Sequence, residues 1–382
     1  MRKICVIITA RPSYSRIKSA LVAMKDHKDI DLEIVLTSSA LLEKYGQVSN
    51  IIEKDGFVIK DKIFSIIEGD SVENSVKDVG LNLIELSNCL KRVSPDAVMT
   101  IADRYETIAN AISASYMNIP LIHIQGGEIT GSIDNKVRHA ITKLADVHLV
   151  STELAKKRVI QMGENPEMVF NTGCPSIDLA HEVLQEKNVK FNPFSYSGIG
   201  NTFDHTKDFV TVMQHPVTTE FEDSFDQVNY TLEAVKAIGL PVLWFWPNLD
   251  AGSDSTSKAI RVFREKNLDL PFFFLKNMEP KDFLRLLRIT KVLIGNSSVG
   301  IRESSYIGTP VVNIGSRQNS RERASNVLDT SYEKEEIIKA ITKQLKAGTY
   351  NSSSLYGSGN SGEKIAEIVS SIDLPFEKPH FY

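Results

Sequence analysis

KVLIGNSSVGIRESSYIGTPVVNIGSR, residues Lys291 to Arg317, decides the fold. Lys291 to Ile294 is a short apolar run of the kind that makes a buried strand, and Val299 to Ile307 has helical character. Val311 to Ile314 is a second apolar run. Strand, helix and strand in this order make a βαβ unit, and so a parallel sheet. Ser297 and Ser298 then fall at a strand-to-helix turn on the carboxyl edge, where open α/β sheets take ligands. N–H groups without intrahelical partners at such a turn suit an anion such as a diphosphate. Glu303, one turn further in, can accept hydrogen bonds from a pair of ribose hydroxyls, and Arg317 follows the next strand onto the same edge. Taken alone, Ser-Ser is an ordinary helix cap and Arg317 an ordinary surface arginine. The whole set in sequence points to a ligand grip.

Outward from this stretch the pattern repeats. Phe209 to Met213, Val242 to Trp246 and Phe272 to Leu275 read as further strands of the same half. Ile4 to Thr9, Leu32 to Thr37, Ala97 to Ile101, Leu121 to Gln125 and Val147 to Ser151 make an earlier series, with helical sequence between them. The alternation lapses at residues 189–208, which are rich in Gly, Ser, Asn and Asp. The expectation is an α/β protein of two Rossmann-like domains facing a cleft: residues 1–180, joined by a returning C-terminal segment at 363–382, and residues 181–362.

Composition excludes several classes. In 382 residues, 44 basic side chains stand against 48 acidic ones, a net charge of −4, so no global field favours nucleic acid or an anionic membrane. The apolar run after Met1-Arg2-Lys3 ends at Ala10-Arg11-Pro12, too short for an export signal or a membrane span. Cys5, Cys89 and Cys174 sit in or beside apolar segments without CxxC spacing, which fits buried thiols in a reducing cytoplasm. No HExxH, GxGxxG or P-loop pattern occurs, so neither a metal nor a dinucleotide cofactor is expected.

Other strand ends carry chemistry-bearing residues. Arg11 and Ser15 follow the first strand, where they can approach a phosphate or base, or Pro12 and Ser13 simply start a helix. Asp103-Arg104 ends the strand Ala97 to Ile101, as a site or as a local ion pair. His123-Ile124-Gln125-Gly126-Gly127-Glu128 leads through two glycines to Asp134, before a helix with Arg138 and His139. Glu128 and Asp134 on such a loop are candidates for acid–base work, although Asp134 also suits a helix cap. His215 follows the first strand of the second half, Asn248 the next, and Met278 the third.

In order, Ala10 to Ser15, Asp103 to Glu106, His123 to Asp134, Arg138 to Lys143, Gln214-His215-Pro216, Gly295 to Ser298 and Gly315 to Gln318 resemble the hydrolysing UDP-N-acetylglucosamine 2-epimerases of sialic-acid and legionaminic-acid synthesis. The resemblance spans nearly the whole chain. It implies a GT-B-like fold and a reaction in which UDP-GlcNAc and water give N-acetylmannosamine and UDP through 2-acetamidoglucal. It implies UDP contacts at Arg11, Arg104, His215, Asn248, Met278, Ser297, Ser298, Glu303 and Arg317 and catalytic roles at Asp103 and Asp134; Ser15 and Gln125 are further candidates for substrate binding, and Glu128 and His215 for catalysis. It further implies a homodimer or homotetramer, without nucleic-acid or membrane partners.

One departure bears on mechanism. Family members usually carry Glu where this chain has Gln125, and an amide exchanges no proton at neutral pH. Either Glu128 or Asp134 takes that task, or Gln125 marks a subgroup acting on another sugar, such as a UDP-2,4-diacetamido sugar. A GT-B glycosyltransferase and a non-catalytic UDP-sugar sensor remain as rival readings.

Overall fold

A computed structural model describes the chain except residues 43–47, 68–71, 102–103, 131–133, 188–190, 248–251, 376, 380 and 382. It divides into two compact units: residues 1–128, 133–178 and 356–382 form unit 1, and residues 129–132 and 179–355 form unit 2.

In unit 1 the strands are β1 (Arg2–Ile8), β2 (Ile30–Thr37), β3 (Ile59–Ile63), β4 (Ala97–Ile101), β5 (Leu121–Ile124), β6 (Val147–Val150) and β7 (Val169–Asn171). The helices are α1 (Arg11–Asp26), α2 (Val48–Lys54), α3 (Val72–Val93), α4 (Thr107–Tyr116), α5 (Asp134–Leu144), α6 (Glu153–Gln161) and α7 (Ser176–Gln185), the last running on into unit 2. All seven strands are parallel, in the order β3-β2-β1-β4-β5-β6-β7. A parallel sheet needs cover on both faces, so its strands read as continuous apolar runs. Alternation along β1 divides them: Ile4, Val6 and Ile8 pack on α1, through Ile17 and Leu21. Cys5 and Ile7 pack on the other side with Leu86 and Leu90 of α3, Ala111 of α4 and Ile141 of α5. The three cysteines are buried, and none forms a disulfide among the described residues.

Unit 2 contains β8 (Gly198–Gly200), β9 (Val210–Met213), β10 (Val242–Phe245), β11 (Phe272–Leu275), β12 (Leu293–Gly295), β13 (Val311–Ile314) and β14 (Val327–Thr330). Its helices are α8 (Ser224–Ile238), α9 (Ser253–Lys266), α10 (Pro280–Ile289), α11 (Ser298–Ile301), α12 (Glu303–Ile307) and α13 (Lys334–Ala347). The order is β14-β13-β12-β9-β10-β11-β8, parallel except for β8 at the edge. Trp244, Phe274, Val212 and Ile294 centre the core beneath α8, α9 and α13.

The chain then returns to unit 1 as α14 (Ser361–Ser371). Its first N–H groups lack intrahelical acceptors, and the buried Asp178 supplies them: Ser361 and Gly362 donate to its carboxylate at 2.9 and 2.7 Å. A side chain at Gly362 would lie 2.7 Å from the Ser19 backbone, so glycine lets α14 seat closely on α1. Among the described residues no helix is long and apolar enough to cross a membrane.

Beyond α14, Lys378 closes a charged cluster within unit 1. The buried Glu164 carboxylate accepts from Lys143 (2.6 Å), Lys378 (2.7 Å) and His148 Nε2 (3.1 Å). Burial raises the Glu164 carboxyl, but hydrogen bonds from His148, Lys143 and Lys378 override it and bring it down to about 2. Burial pushes the His148 imidazole below its ordinary value, against the pull of Glu164. Both shifts make the unfolded chain bind more protons in acid. The Glu164 contribution is complete above the ordinary carboxylate range and disappears as pH falls towards 2, while His148 withdraws stability as pH falls below about 6.5. Glu164→Gln is expected to lower stability at neutral pH by about 2 kcal/mol, below the usual cost of a broken buried pair because Lys143 can turn to water. Its melting temperature is also expected to fall less between pH 5 and pH 3 than that of the wild type. Parallel acid limbs in calorimetry would show that Glu164 does not carry the effect.

Candidate active site

In unit 2 the strand order reverses at β9, with β10 and β11 on one side and β12 to β14 on the other. Such a switch opens a crevice at the carboxyl edge. The loops leaving β9 and β12 are joined there by the buried Asn296. Its Oδ1 accepts the His215 backbone N–H at 2.8 Å, and its Nδ2 donates to the His215 carbonyl at 2.8 Å. One amide thus stands in for a stretch of neighbouring strand. The preceding Gly295, at φ +133°, allows the approach: a Cβ there would lie 2.1 Å from the Met213 carbonyl oxygen. The Asn296 carbonyl in turn accepts from Gln318 Nε2 at 2.9 Å and from Arg317 Nη1 at 3.3 Å. Arg321 braces Gln318 by donating to its Oε1 at 2.9 Å.

Ser297 is the N-cap of α11 in extended conformation, its side chain making no capping bond, and Ser298 Oγ accepts from Arg302 Nη2 at 3.1 Å. The helix expected over Val299 to Ile307 is broken at Arg302 (φ −95°, ψ −74°) into α11 and α12. Ser305 Oγ donates to the Arg302 carbonyl at 2.6 Å, a local bond of the kind that competes with helical pairing. α11 has only four residues, so anion binding there depends on individual N–H groups, hydroxyls and the nearby arginine and not on the start of a long helix. Glu303 opens α12 with 8% exposure, and its Oε2 has no hydrogen-bond partner among the described residues. Met278, after β11, is buried with Phe245, Phe283 and Leu284, so its side chain is core and its backbone is what a ligand can meet. Asn248 lies outside the described residues.

In unit 1 the order reverses between β1 and β4. After β1, Arg11 is the first residue of α1 and Ser15 lies one turn in, both half-buried. After β4, Asp103 lies outside the described residues. Arg104 Nε donates to Glu106 Oε1 at 2.7 Å, with Glu106 buried, so the ion pair seen at this loop is with Glu106.

After β5 comes the acidic loop. Gln125 is buried in the left-handed region at φ +66°, and its Nε2 donates to Cys174 Sγ at 3.0 Å. Gly127, at φ +75°, is pressed on α6: a Cβ there would lie 2.3 Å from the Ala155 carbonyl oxygen. The carbonyl of the buried Glu128 accepts from the buried Arg138 Nη1 at 2.9 Å. Asp134 is the first residue of α5, where a preceding loop position was expected, because α5 begins one turn ahead of Arg138. Burial, then the charges of Arg138 and Arg158, push the His139 imidazole below its ordinary value.

Hydroxyls, an arginine and a buried carboxylate at the unit 2 edge can hold a diphosphate and a diol. Two carboxylates that follow β5 in unit 1, Glu128 in its loop and Asp134 at the start of α5, can move protons. The family profile described as UDP-N-acetylglucosamine 2-epimerase matches residues 22–370. The chain belongs to the UDP-N-acetylglucosamine 2-epimerase family.

Among its relatives, a Legionella pneumophila protein named UDP-N,N'-diacetylbacillosamine 2-epimerase (hydrolyzing) is 32% identical, covering 98% of this chain and 97% of its own. A Neisseria meningitidis serogroup B UDP-N-acetylglucosamine 2-epimerase is 27% identical over 97% and 95% of the two chains. The crystal structure of UDP-GlcNAc 2-epimerase from Neisseria meningitidis bound to UDP-GlcNAc superposes with a TM-score of 0.79, at 16% identity, over 96% of this chain and 99% of that one. The GT-B-like pair of Rossmann-like units is therefore the fold this epimerase family member adopts.

Sequence reading passed over two residues that organise these strand ends, Asn296 as the bridge between β9 and β12, and Glu106 as the partner of Arg104. Glu106, two residues beyond a candidate arginine, offered a local signal. Asn296 gave none beyond its place in the Gly-Asn-Ser-Ser run, since its partner is 81 residues away.

Proposed function

We propose that this protein is a hydrolysing 2-epimerase of UDP-linked 2-acetamido sugars, with UDP-GlcNAc as the parent substrate. The observation that carries the reading is the Asn296 bridge, which brings His215, Ser297, Ser298 and Arg317 to one sheet edge at a topological switch point. In this reading those residues and Glu303 hold UDP, and Arg11, Ser15 and Arg104 are further candidates for contact with the UDP-sugar. A carboxylate of the acidic loop removes the C2 proton while the C1–O bond to UDP breaks, giving 2-acetamidoglucal. Water then adds its oxygen to C1, and a proton returns to C2 on the opposite face. Charge developing on the departing diphosphate is the largest demand, met by Arg317 and the N–H groups around Ser297.

Gln125 supports a second substrate. Its amide is committed to Cys174, and the 32% identical Legionella relative is named for UDP-N,N'-diacetylbacillosamine. The same elimination and hydration then run on a UDP-2,4-diacetamido sugar. Competition between the two UDP-sugars, with UDP release and free sugar measured together, separates the cases by kcat/KM. Release of UDP only when an acceptor is added would instead identify a glycosyltransferase.

Arg317→Ala is expected to weaken UDP binding by about 1.5–3 kcal/mol, the usual worth of a charge-assisted contact. Calorimetric titration giving wild-type affinity would remove Arg317 from the site.

A further inference from the structure

The inner face of α3 carries two buried polar residues one turn apart, Asp78 and Asn82, which neither the family resemblance nor the proposed reaction uses. Together they hold the loops at the ends of three consecutive strands. Asn82 Nδ2 donates to Ser38 Oγ at 2.8 Å after β2, and its Oδ1 accepts from Thr37 and, at 2.9 Å, from Ser65 Oγ after β3. Asp78 Oδ1 accepts the Ile67 N–H at 2.7 Å, and its Oδ2 accepts the Tyr105 hydroxyl at 3.1 Å after β4. Tyr105 lies between Arg104 and Glu106, and Glu106 accepts from Arg104 Nε at 2.7 Å. Glu106 is 1% exposed and its Oε2 has no partner among the described residues, so a carboxylate is buried here with one bond in view, the one to Arg104.

Burying an ionised group costs free energy unless it is paired, and a surface arginine needs no such partner. A carboxylate bonded at Nε fixes the plane of the guanidinium, which matters where the fork must meet a planar or tetrahedral anion. We propose that Asp78 and Glu106 are positioning residues for Arg104: Asp78 pins the loop through the Tyr105 hydroxyl, Glu106 sets the guanidinium plane, and Arg104 thereby meets the UDP-sugar pre-oriented. This rests on the reading that Arg104 contacts a UDP-sugar.

The test is a pair of double-mutant cycles. Tyr105→Phe deletes only the hydroxyl, and Glu106→Gln deletes the charge. Each is expected to lower kcat/KM for the UDP-sugar about tenfold, as a displacement of a fraction of an ångström does for a positioned contact. In an Arg104→Ala background neither is expected to cost anything further, because both act through Arg104. A merely structural role predicts equal losses in both backgrounds, and that result overturns the inference while leaving the proposed function standing. Single variants within about twofold of wild type, or an Arg104→Ala enzyme with unchanged kcat/KM, overturn it equally. Wild-type protein that neither binds UDP nor turns over a UDP-sugar removes the underlying reading and this inference together.

Discussion

Asn296→Ala is expected to abolish measurable UDP binding and to destabilise the protein by about 2–6 kcal/mol, since removing the amide leaves two backbone groups of His215 buried and unpaired at about 1–3 kcal/mol each. Both of those groups bond to Asn296 at 2.8 Å in an interior where water does not substitute. The effect on binding exceeds that of any single ligand contact, because the amide fixes the His215 loop after β9 against the Ser297 loop after β12, and the Asn296 carbonyl to which Arg317 and Gln318 donate moves with it. Asn296→Asp sharpens the test, keeping an acceptor for the His215 N–H but setting a carboxylate oxygen against the His215 carbonyl. Calorimetric titration with UDP and thermal unfolding on the same samples check both effects. Wild-type affinity in a variant that still folds would show that the crevice between β9 and β12 is not the nucleotide site.

Asp134→Asn and Glu128→Gln are each expected to lower turnover by about 10²–10⁴-fold, the usual range for loss of a general acid or base, while UDP affinity stays at the wild-type value. The split follows from the roles proposed above, with the residues around Asn296 holding the nucleotide and a carboxylate after β5 transferring the proton. Gln125 cannot exchange a proton, and its Nε2 is engaged by Cys174 at 3.0 Å, which leaves Glu128 in this loop and Asp134 at the start of α5 as the described carboxylates here. Turnover that survives both substitutions would move the proton transfer elsewhere on the carboxyl edge. Loss of UDP affinity in step with turnover would instead assign these carboxylates to binding.

The central strands were legible because a parallel strand covered on both faces must be apolar along its length, as Ile4 to Ile8 and Phe272 to Leu275 are. The edge strands were not. β3 reads Ile-Lys-Asp-Lys-Ile, charged as an edge strand must be to discourage further pairing, and β8 is only Gly-Ile-Gly. Helical period across Val299 to Ile307 concealed the break at Arg302, where the backbone turns to φ −95° and ψ −74°. The candidate ligand residues could be read because they follow strands, and strand ends are where loops expose side chains. Their supports could not: Asn296 with His215, Asp78 with Tyr105 and Asp178 with α14 are pairings between distant segments, made only when the chain has folded. Gln125 is an intermediate case. Its departure from the family pattern was evident in the sequence, but its left-handed backbone and bond to Cys174 were not.

The most direct test of the account is proton NMR in D₂O of the purified protein with UDP-GlcNAc and, separately, with UDP-N,N'-diacetylbacillosamine. The account predicts release of UDP together with a free sugar that is inverted at C2 and carries deuterium there in place of the original proton. Free sugar that retains both its C2 configuration and its proton, or spectra that stay unchanged with both substrates, would contradict it.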